Sequence, residues 1–432
     1  MDENKFLSRR NFIKLCGGAI LLTGASAAAS HFSLFEHAAK GAKKLAHPDS
    51  MEADYLRQII TTDSRNSRTI MWQSSKPQAA AAIEYREKGS EESQHIPALS
   101  ESFTDDGVTC SLHTAELSGL QAGKAYEYRT TADKKAGSWH DLRAADEGSF
   151  QALIFPDSQS NDYSGWKELA QNAYERNPGA GFFVNMGDLV DNGEDHTQWN
   201  AWFDAVSGII DRIPCVPLMG NHETYNQNWK VRLPEAWLHE FAVPQNGSTE
   251  FERYYYAFDY GPVHFTVLNT QWDELNEFKN GLLAEQISWL RKDLAGTKKK
   301  WKIVLLHKDV LQYRIHNRPE RKEGISDVGE VFMPIFDEFQ VNVVFSAHLH
   351  TYRNRGHIQN FRASSQGPYY ILTGVAGNVR YPGLWTDHAL DRTVAPQPET
   401  DNYLTLDAAE NSLLIRCFLP NGDKIDHVLL NK

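Results

Sequence analysis

Six side chains able to hold hard or borderline metal ions stand at the ends of five short apolar runs. Phe150 to Pro156 leads into Asp157, Gly181 to Gly187 into Asp188, and Cys215 to Gly220 into Asn221. Trp301 to Leu306 leads into His307, and Val341 to Ala347 into His348 and His350. Two Asp, one Asn and three His make a nitrogen and oxygen donor set that suits Mn, Fe, Zn or Co. The set is large enough for two ions sharing a carboxylate. Its chemistry is that of a metal centre.

Runs of this length, rich in Val, Ile and Phe and closed by Gly or a polar turn, read as buried strands. Ligands of open α/β sheets collect at the carboxyl ends of strands, so residues as distant as Asp157 and His350 can share one rim. Helical spacing of apolar residues runs from Trp166 to Asn177 and from Leu282 to Leu294, where Ile287, Leu290 and Leu294 share a face. Val331 to Phe339 predicts a shorter helix with Pro334 near its start or at a kink. Tyr369 to Val375, Tyr403 to Leu406, Leu413 to Phe418 and Lys424 to Leu430 form a strand-rich tail, expected to complete a second sheet. Before Gly148 the pattern is all-β. Segments such as Thr69 to Gln73, Ala81 to Tyr85 and Ala125 to Arg129 predict a β-sandwich of roughly a hundred residues.

The chain has 432 residues, more than one core usually serves. It is 41% hydrophobic and 23% charged, which places it among globular proteins. A formal charge of −12 argues against nucleic acid held on a basic surface, though not against small phosphorylated substrates. Ser8-Arg9-Arg10-Asn11-Phe12-Ile13-Lys14, a short apolar stretch and small residues through Ala29 resemble a twin-arginine export signal. Residues 1–29 are therefore assigned to a signal and 30–50 to a tether, with 51–148 as the β-sandwich and 149–432 as the catalytic domain. This implies the twin-arginine export machinery as a partner, a periplasmic or extracellular address, and no stable membrane span after cleavage. Past the signal only Cys110, Cys215 and Cys417 remain, an odd number that reads as buried thiols rather than a disulfide framework.

Taken in order, Asp157, G-D-L-V-D from Gly187, G-N-H-E from Gly220, His307 and A-H-L-H from Ala347 resemble the calcineurin-like metallophosphoesterases. The surroundings resemble, more narrowly, the purple acid phosphatase group. The similar stretches are Tyr254 to Phe265, Glu285 to Leu290, Thr351 to Arg353 and, more loosely, Asn421 to Asp426. That resemblance implies an α/β fold, the αββα metallophosphoesterase sandwich, preceded by an all-β fibronectin type III-like domain. It implies one ion on Asp157, Asp188 and His350, and a second on Asp188, Asn221, His307 and His348. A metal-bridged hydroxide would attack phosphorus, and His222 would sit by the leaving-group oxygen.

This chain departs from the group at three positions. Asp191 stands where purple acid phosphatases carry the iron-binding Tyr that gives their colour. No purple band and no obligatory ferric ion are therefore expected, and Asp191 is expected to orient His222. Gln159 replaces a His ligand; either its amide oxygen binds the first ion more weakly or a water takes its place. Ala347 replaces a Gly before the His pair. His316, with Arg314 nearby, lies near the group's substrate-contacting His, a solvated loop being the alternative. His264 reads as a satisfied structural histidine. The implied function is an exported phosphatase of phosphomonoesters using two divalent or mixed-valence metal ions. The alternatives are a phosphodiesterase or nucleotidase on the same centre, and a catalytically weakened surface binding protein.

Overall fold

Strand Trp301–Leu306 alternates its side chains between two cores. Ile303 and Leu305 enter a core shared with Phe182 and Phe265, while Val304 and Leu306 enter one shared with Leu290 and Phe332. That period of two is what a sheet covered on both faces requires. The computed structural model describes residues 51–396 and 399–432. The signal and tether assigned to residues 1–29 and 30–50 lie outside the described residues.

Two sheets face each other. In the first, Phe150–Phe155, Phe182–Asn185 and Cys215–Pro217 run parallel, with Ala152 opposite Phe182 and Phe183 opposite Cys215. In the second, Val263–Leu268, Trp301–Leu306, Val343–Ser346 and Tyr369–Thr373 run parallel. Phe182 and Phe265 meet between them at a ring separation of 5.5 Å. Helices Ser164–Arg176 and His196–Ala205 cover the first sheet, and Leu282–Gly296 and Asp327–Glu338 cover the second. The layers therefore run αββα. An isolated parallel bridge between Asp157 and Val375 joins the two sheets where their strands end.

Three expectations need correction or addition. The tail does not complete the second sheet: of its strands only Tyr369–Thr373 lies there, whereas Tyr403–Ala409, Ser412–Phe418 and Lys424–Asn431 extend the first. Leu406 opposite Ala152 sets that antiparallel register, and strand alternation alone does not say which sheet an edge joins. The helix holding Pro334 begins earlier, at Asp327, where the Ser326 hydroxyl accepts the Gly329 N–H at 3.1 Å. Pro334 is thus interior, removing one i→i−4 donor inside an otherwise strongly amphipathic helix. Helix His196–Ala205 was not anticipated, although Asp195 caps it and Trp199, Trp202 and Phe203 carry the i, i+3, i+4 pattern.

The N-terminal β domain is continuous with the rest. Strand Asp54–Ile59 pairs antiparallel with Ser67–Ser74 and, through Ile59 and Cys215, parallel with the first sheet, making it ten-stranded. On Ser67–Ser74, Ile70 and Trp72 face the domain's own core while Met71 faces the catalytic layers. The Arg57 guanidinium, fully buried, meets the Glu240 carboxylate at 2.6 Å, and Gln73 donates to the same carboxylate. Cys110, Cys215 and Cys417 are buried free thiols. Among the described residues no helix is long and apolar enough to cross a membrane.

Removing one partner of a buried ion pair strands the other charge. Glu240→Ala should lower stability by about 3–5 kcal/mol in urea melts, and wild type should unfold in one calorimetric transition because one sheet spans both parts. His264 supplies a pH-dependent case. It lies between Asp259 at 2.8 Å and Asp293 at 3.0 Å. Burial opposes its charge, but the two aspartates outweigh burial and push the imidazole up from 6.5 to about 9. A raised folded-state pKa stabilises fully below the unfolded value and is lost as pH climbs through the folded one. His264→Gln should be less stable than wild type by about 2 kcal/mol at pH 6, with the gap shrinking as pH climbs from 6.5 and nearly closed above about 9.

Candidate metal centre

The strand ends deliver their residues into backbone that L side chains seldom adopt. Asp188 has φ 48°, His348 75° and His350 53°, and Gly187 sits at 97°. Left-handed backbone costs an ordinary residue roughly 1–2 kcal/mol, so it persists only where the surroundings over-determine it. Two glycines make room: a Cβ on Gly187 would meet His307 Nδ1 at 2.5 Å, and one on Gly220 would overlap Asp188.

Donor atoms of Asp188, His307 and His348 lie within 4.8 Å of one another, and so do those of Asp157, Asp188 and His350. Asp188 is common to both groups. His307 Nε2 stands 3.1 Å from Asp188 Oδ2 and 3.3 Å from Asn221 Oδ1, and His350 Nε2 stands 3.2 Å from Asp157 Oδ2. Each ring is aimed from behind. His307 Nδ1–H donates to the Met186 carbonyl at 2.9 Å, and His350 Nδ1–H donates to the Val379 carbonyl at 2.7 Å. That leaves Nε2 of both rings free to coordinate. The His348 N–H donates to both oxygens of Asp157, at 3.0 and 3.1 Å.

The electrostatics call for a cation. Burial disfavours the Asp188 carboxylate, yet His307 and His222 hold it well below the usual range. Burial likewise works against charge on His307, but Asp188 and Asp157 raise it to about 9. Protons thus occupy positions that a metal would take over. Gln159 supplies a second sign. Its side chain is buried with its amide nitrogen 3.3 Å from His222 Nε2, and its Oε1 has no hydrogen-bond partner. An orphaned, buried carbonyl oxygen two residues past Asp157 is a donor that a cation can satisfy.

His222 borders the cluster, with Nε2 4.0 Å from Asp188 Oδ2 and 3.3 Å from Gln159 Nε2. Its Nδ1–H donates to the Asp191 backbone carbonyl at 2.6 Å, while the Asp191 carboxylate is 3.6 Å away. Asp191 therefore orients His222 chiefly through its main chain, and its carboxylate adds charge. Burial opposes charge on His222, but Asp188 and Asp191 raise its pKa; burial raises that of Asp191. Arg314 and His316 are exposed, on a segment whose backbone pairs with Leu384 and Thr386. Among the described residues no hydrogen bond joins their side chains to the cluster.

Glu223 escaped the sequence reading, although it closes the G-N-H-E motif. Its carboxylate accepts the N–H groups of Asp188 at 3.0 Å, Leu189 at 2.8 Å and Gly220 at 2.6 Å. One side chain thus clasps both motif loops. Burial, and then the Asp188 charge, push its pKa up to about 7.

Residues 140–352 match the calcineurin-like phosphoesterase family, and residues 55–151 match the purple acid phosphatase N-terminal domain. The chain thus carries a calcineurin-like phosphoesterase domain preceded by a purple acid phosphatase N-terminal domain. It is similar to purple acid phosphatase 15 of Arabidopsis thaliana, at 28% identity over 209 residues, 47% of this chain and 36% of that one. It is also similar to Fe(3+)-Zn(2+) purple acid phosphatase 12 of the same plant, at 25% identity over 251 residues, 52% of this chain and 49% of that one. The matches therefore span less than half of these relatives' length. The purple acid phosphatase PPD1 from yellow lupin (Lupinus luteus) seeds shares the fold, with a TM-score of 0.74 at 18% identity over 89% of this chain and 75% of that one.

Glu223→Ala would leave the N–H groups of Asp188, Leu189 and Gly220 buried without their acceptor. Each buried orphan costs about 1–3 kcal/mol. Denaturant melts in chelator should therefore show a loss of roughly 3 kcal/mol or more.

Proposed function

We propose that the chain is an exported, metal-dependent phosphatase that hydrolyses phosphomonoesters at a dinuclear centre. The observation carrying this reading is that two donor groups converge on one buried carboxylate, Asp188. Asp157, Gln159, Asp188 and His350 hold the first ion, and Asp188, Asn221, His307 and His348 hold the second. The ions, whether Mn, Fe, Zn or Co, supply Lewis-acid neutralisation of the phosphoryl oxygens and lower the pKa of a coordinated water.

The chain's own groups do the rest. His222 keeps Nδ1–H on the Asp191 carbonyl and so presents Nε2 to the cluster. A protonated ring there would donate to the departing alkoxide oxygen, and the neighbouring Asp188 and Asp191 favour its charge. Asp191 holds that ring in place and supports its charge. Arg314 and His316 are the candidates that the resemblance offers for contacting substrate, and both are exposed. The twin-arginine pattern from Ser8 to Lys14 supports export by that machinery to the periplasm or beyond.

The test is reconstitution of the full chain with Mn, Fe, Zn or Co, each supplied separately. Aryl phosphate and bis-aryl phosphate are then assayed in parallel. Two ions per chain and turnover of the monoester are expected; preference for the bis-aryl ester would instead make the chain a phosphodiesterase. Fewer than two ions with no hydrolysis would mark a binding protein. Asp188→Asn should abolish paired metal binding and reduce kcat at least a thousand-fold, on the order of the effects of removing groups that stabilise transition-state charge. With Asp191 in place of a tyrosine, the iron-loaded protein should show no phenolate-to-iron absorption band.

A further inference from the structure

The segment after G-N-H-E folds back on itself, Tyr225 bridging Val231, and carries Trp229 at its turn. Trp229 is 47% exposed and its backbone is left-handed, with φ 57°. A single exposed apolar side chain needs no explanation. A tryptophan held in left-handed backbone does, because a bulky residue there is strained.

The strain is held by a dense set of hydrogen bonds. Trp229 N–H donates to the Asn226 carbonyl at 2.8 Å, and Asn192 Nδ2 donates to the same oxygen at 2.6 Å. Asn226 Oδ1 accepts the N–H groups of Asn228 and Lys230, at 3.0 and 2.9 Å. A brace also comes from the N-terminal β domain. Its hairpin turns at Asp106-Gly107, both in left-handed backbone. The Asp106 carboxylate accepts from Gln227 Nε2 and from the His196 N–H, while Asp105 meets Arg232 at 2.9 Å. The loop is fixed from both sides, with its indole beside the cluster. The Trp229 ring stands edge-on to His222, with centroids 5.8 Å apart and planes at 90°.

We propose that Trp229 is a specificity-determining platform on which the planar aromatic leaving group of the phosphate ester stacks, whether an aryl alcohol or a nucleoside. This rests on the phosphatase reading, in which His222 serves the leaving-group oxygen. A group departing past His222 emerges against the next ring outward, and that ring is Trp229. Stacking tolerates any π-face, so the platform selects flat leaving groups without choosing among them. Asp106 is a positioning residue that keeps the loop in register.

The experiment uses the metal-reconstituted full chain and three substrates: phenyl phosphate, a nucleoside 5′-monophosphate and glycerol phosphate. In Trp229→Ala the ratio of kcat/KM for an aromatic ester to that for glycerol phosphate should fall roughly ten-fold, mainly through KM. Trp229→Phe should restore most of it. Asp106→Gly keeps the turn's backbone while removing the carboxylate, and should lower the same ratio by a smaller factor through KM. The two aromatic substrates show whether aryl and nucleoside groups use the platform equally. An unchanged ratio in an active Trp229→Ala enzyme, or a Phe variant as impaired as the Ala variant, overturns the platform alone. A wild-type protein inactive on all three esters overturns the phosphatase reading and the platform with it.

Discussion

Carboxylates and imidazoles drawn from loops as far apart in sequence as Asp157 and His350 crowd around Asp188, almost fully buried. Such a gathering is unfavourable in isolation, because like groups repel and each loses its hydration. Rigid backbone must hold it. Parallel strands of both sheets end at the same edge, and the bridge from Asp157 to Val375 locks one edge to the other. Strained φ angles at Asp188, His348 and His350 follow from that demand, since each side chain must turn inward immediately beyond its strand. Glu223 and the Met186 and Val379 carbonyls then fix the loops and ring planes from outside.

The parts of this arrangement tied to strand ends were legible in the sequence. Each apolar run closes on a polar residue, and the same residue that ends the strand enters the cluster. Asn221 was legible for the same reason, whereas Gln159 was reached only through the resemblance, which puts a His ligand at its position. Glu223 was not, because nothing in its type separates a loop clasp from a solvated carboxylate; its role depends on N–H groups that only the folded loops expose. Asp191 was half legible. Its closeness to His222 was foreseen, but the shorter contact runs through the peptide carbonyl, which any residue would supply. Arg314 and His316 were placed by analogy of spacing, and in long loops spacing carries little geometry.

The fold follows the same division. Alternation named the strands, and amphipathic spacing found helices Ser164–Arg176 and Leu282–Gly296. Sheet membership of the tail was wrong because edges are chosen by long-range pairing, here Phe150 with Ala408 and Leu153 with Thr405. The continuity of the N-terminal domain with the catalytic sheet was hidden for a related reason. It rests on one parallel contact, Ile59 with Cys215, and on the buried pair Arg57 and Glu240, neither of which has a local signature.

That continuity bears on how selectivity arises. On the proposed reading, donors clustered around Asp188 would meet only the phosphoryl end of a substrate, and that end is the same for every monoester. Discrimination must therefore come from the rim. The rim beside His222 is not free-standing: its loop is tied inward to Asn192 and Glu194 and outward to the Asp105 and Asp106 turn. The turn in turn belongs to a strand pair within the ten-stranded sheet that also carries Asp157 and Asp188 at its strand ends. A displacement of the N-terminal domain would thus move the rim relative to the donors. The sheet forbids that movement, so metal cluster and leaving-group rim share one rigid frame although nearly a hundred residues of sequence separate Asp106 from His196. On the proposed reading the β domain would act on catalysis without touching the reacting atoms, by fixing the distance between the metal cluster and the rim beside His222.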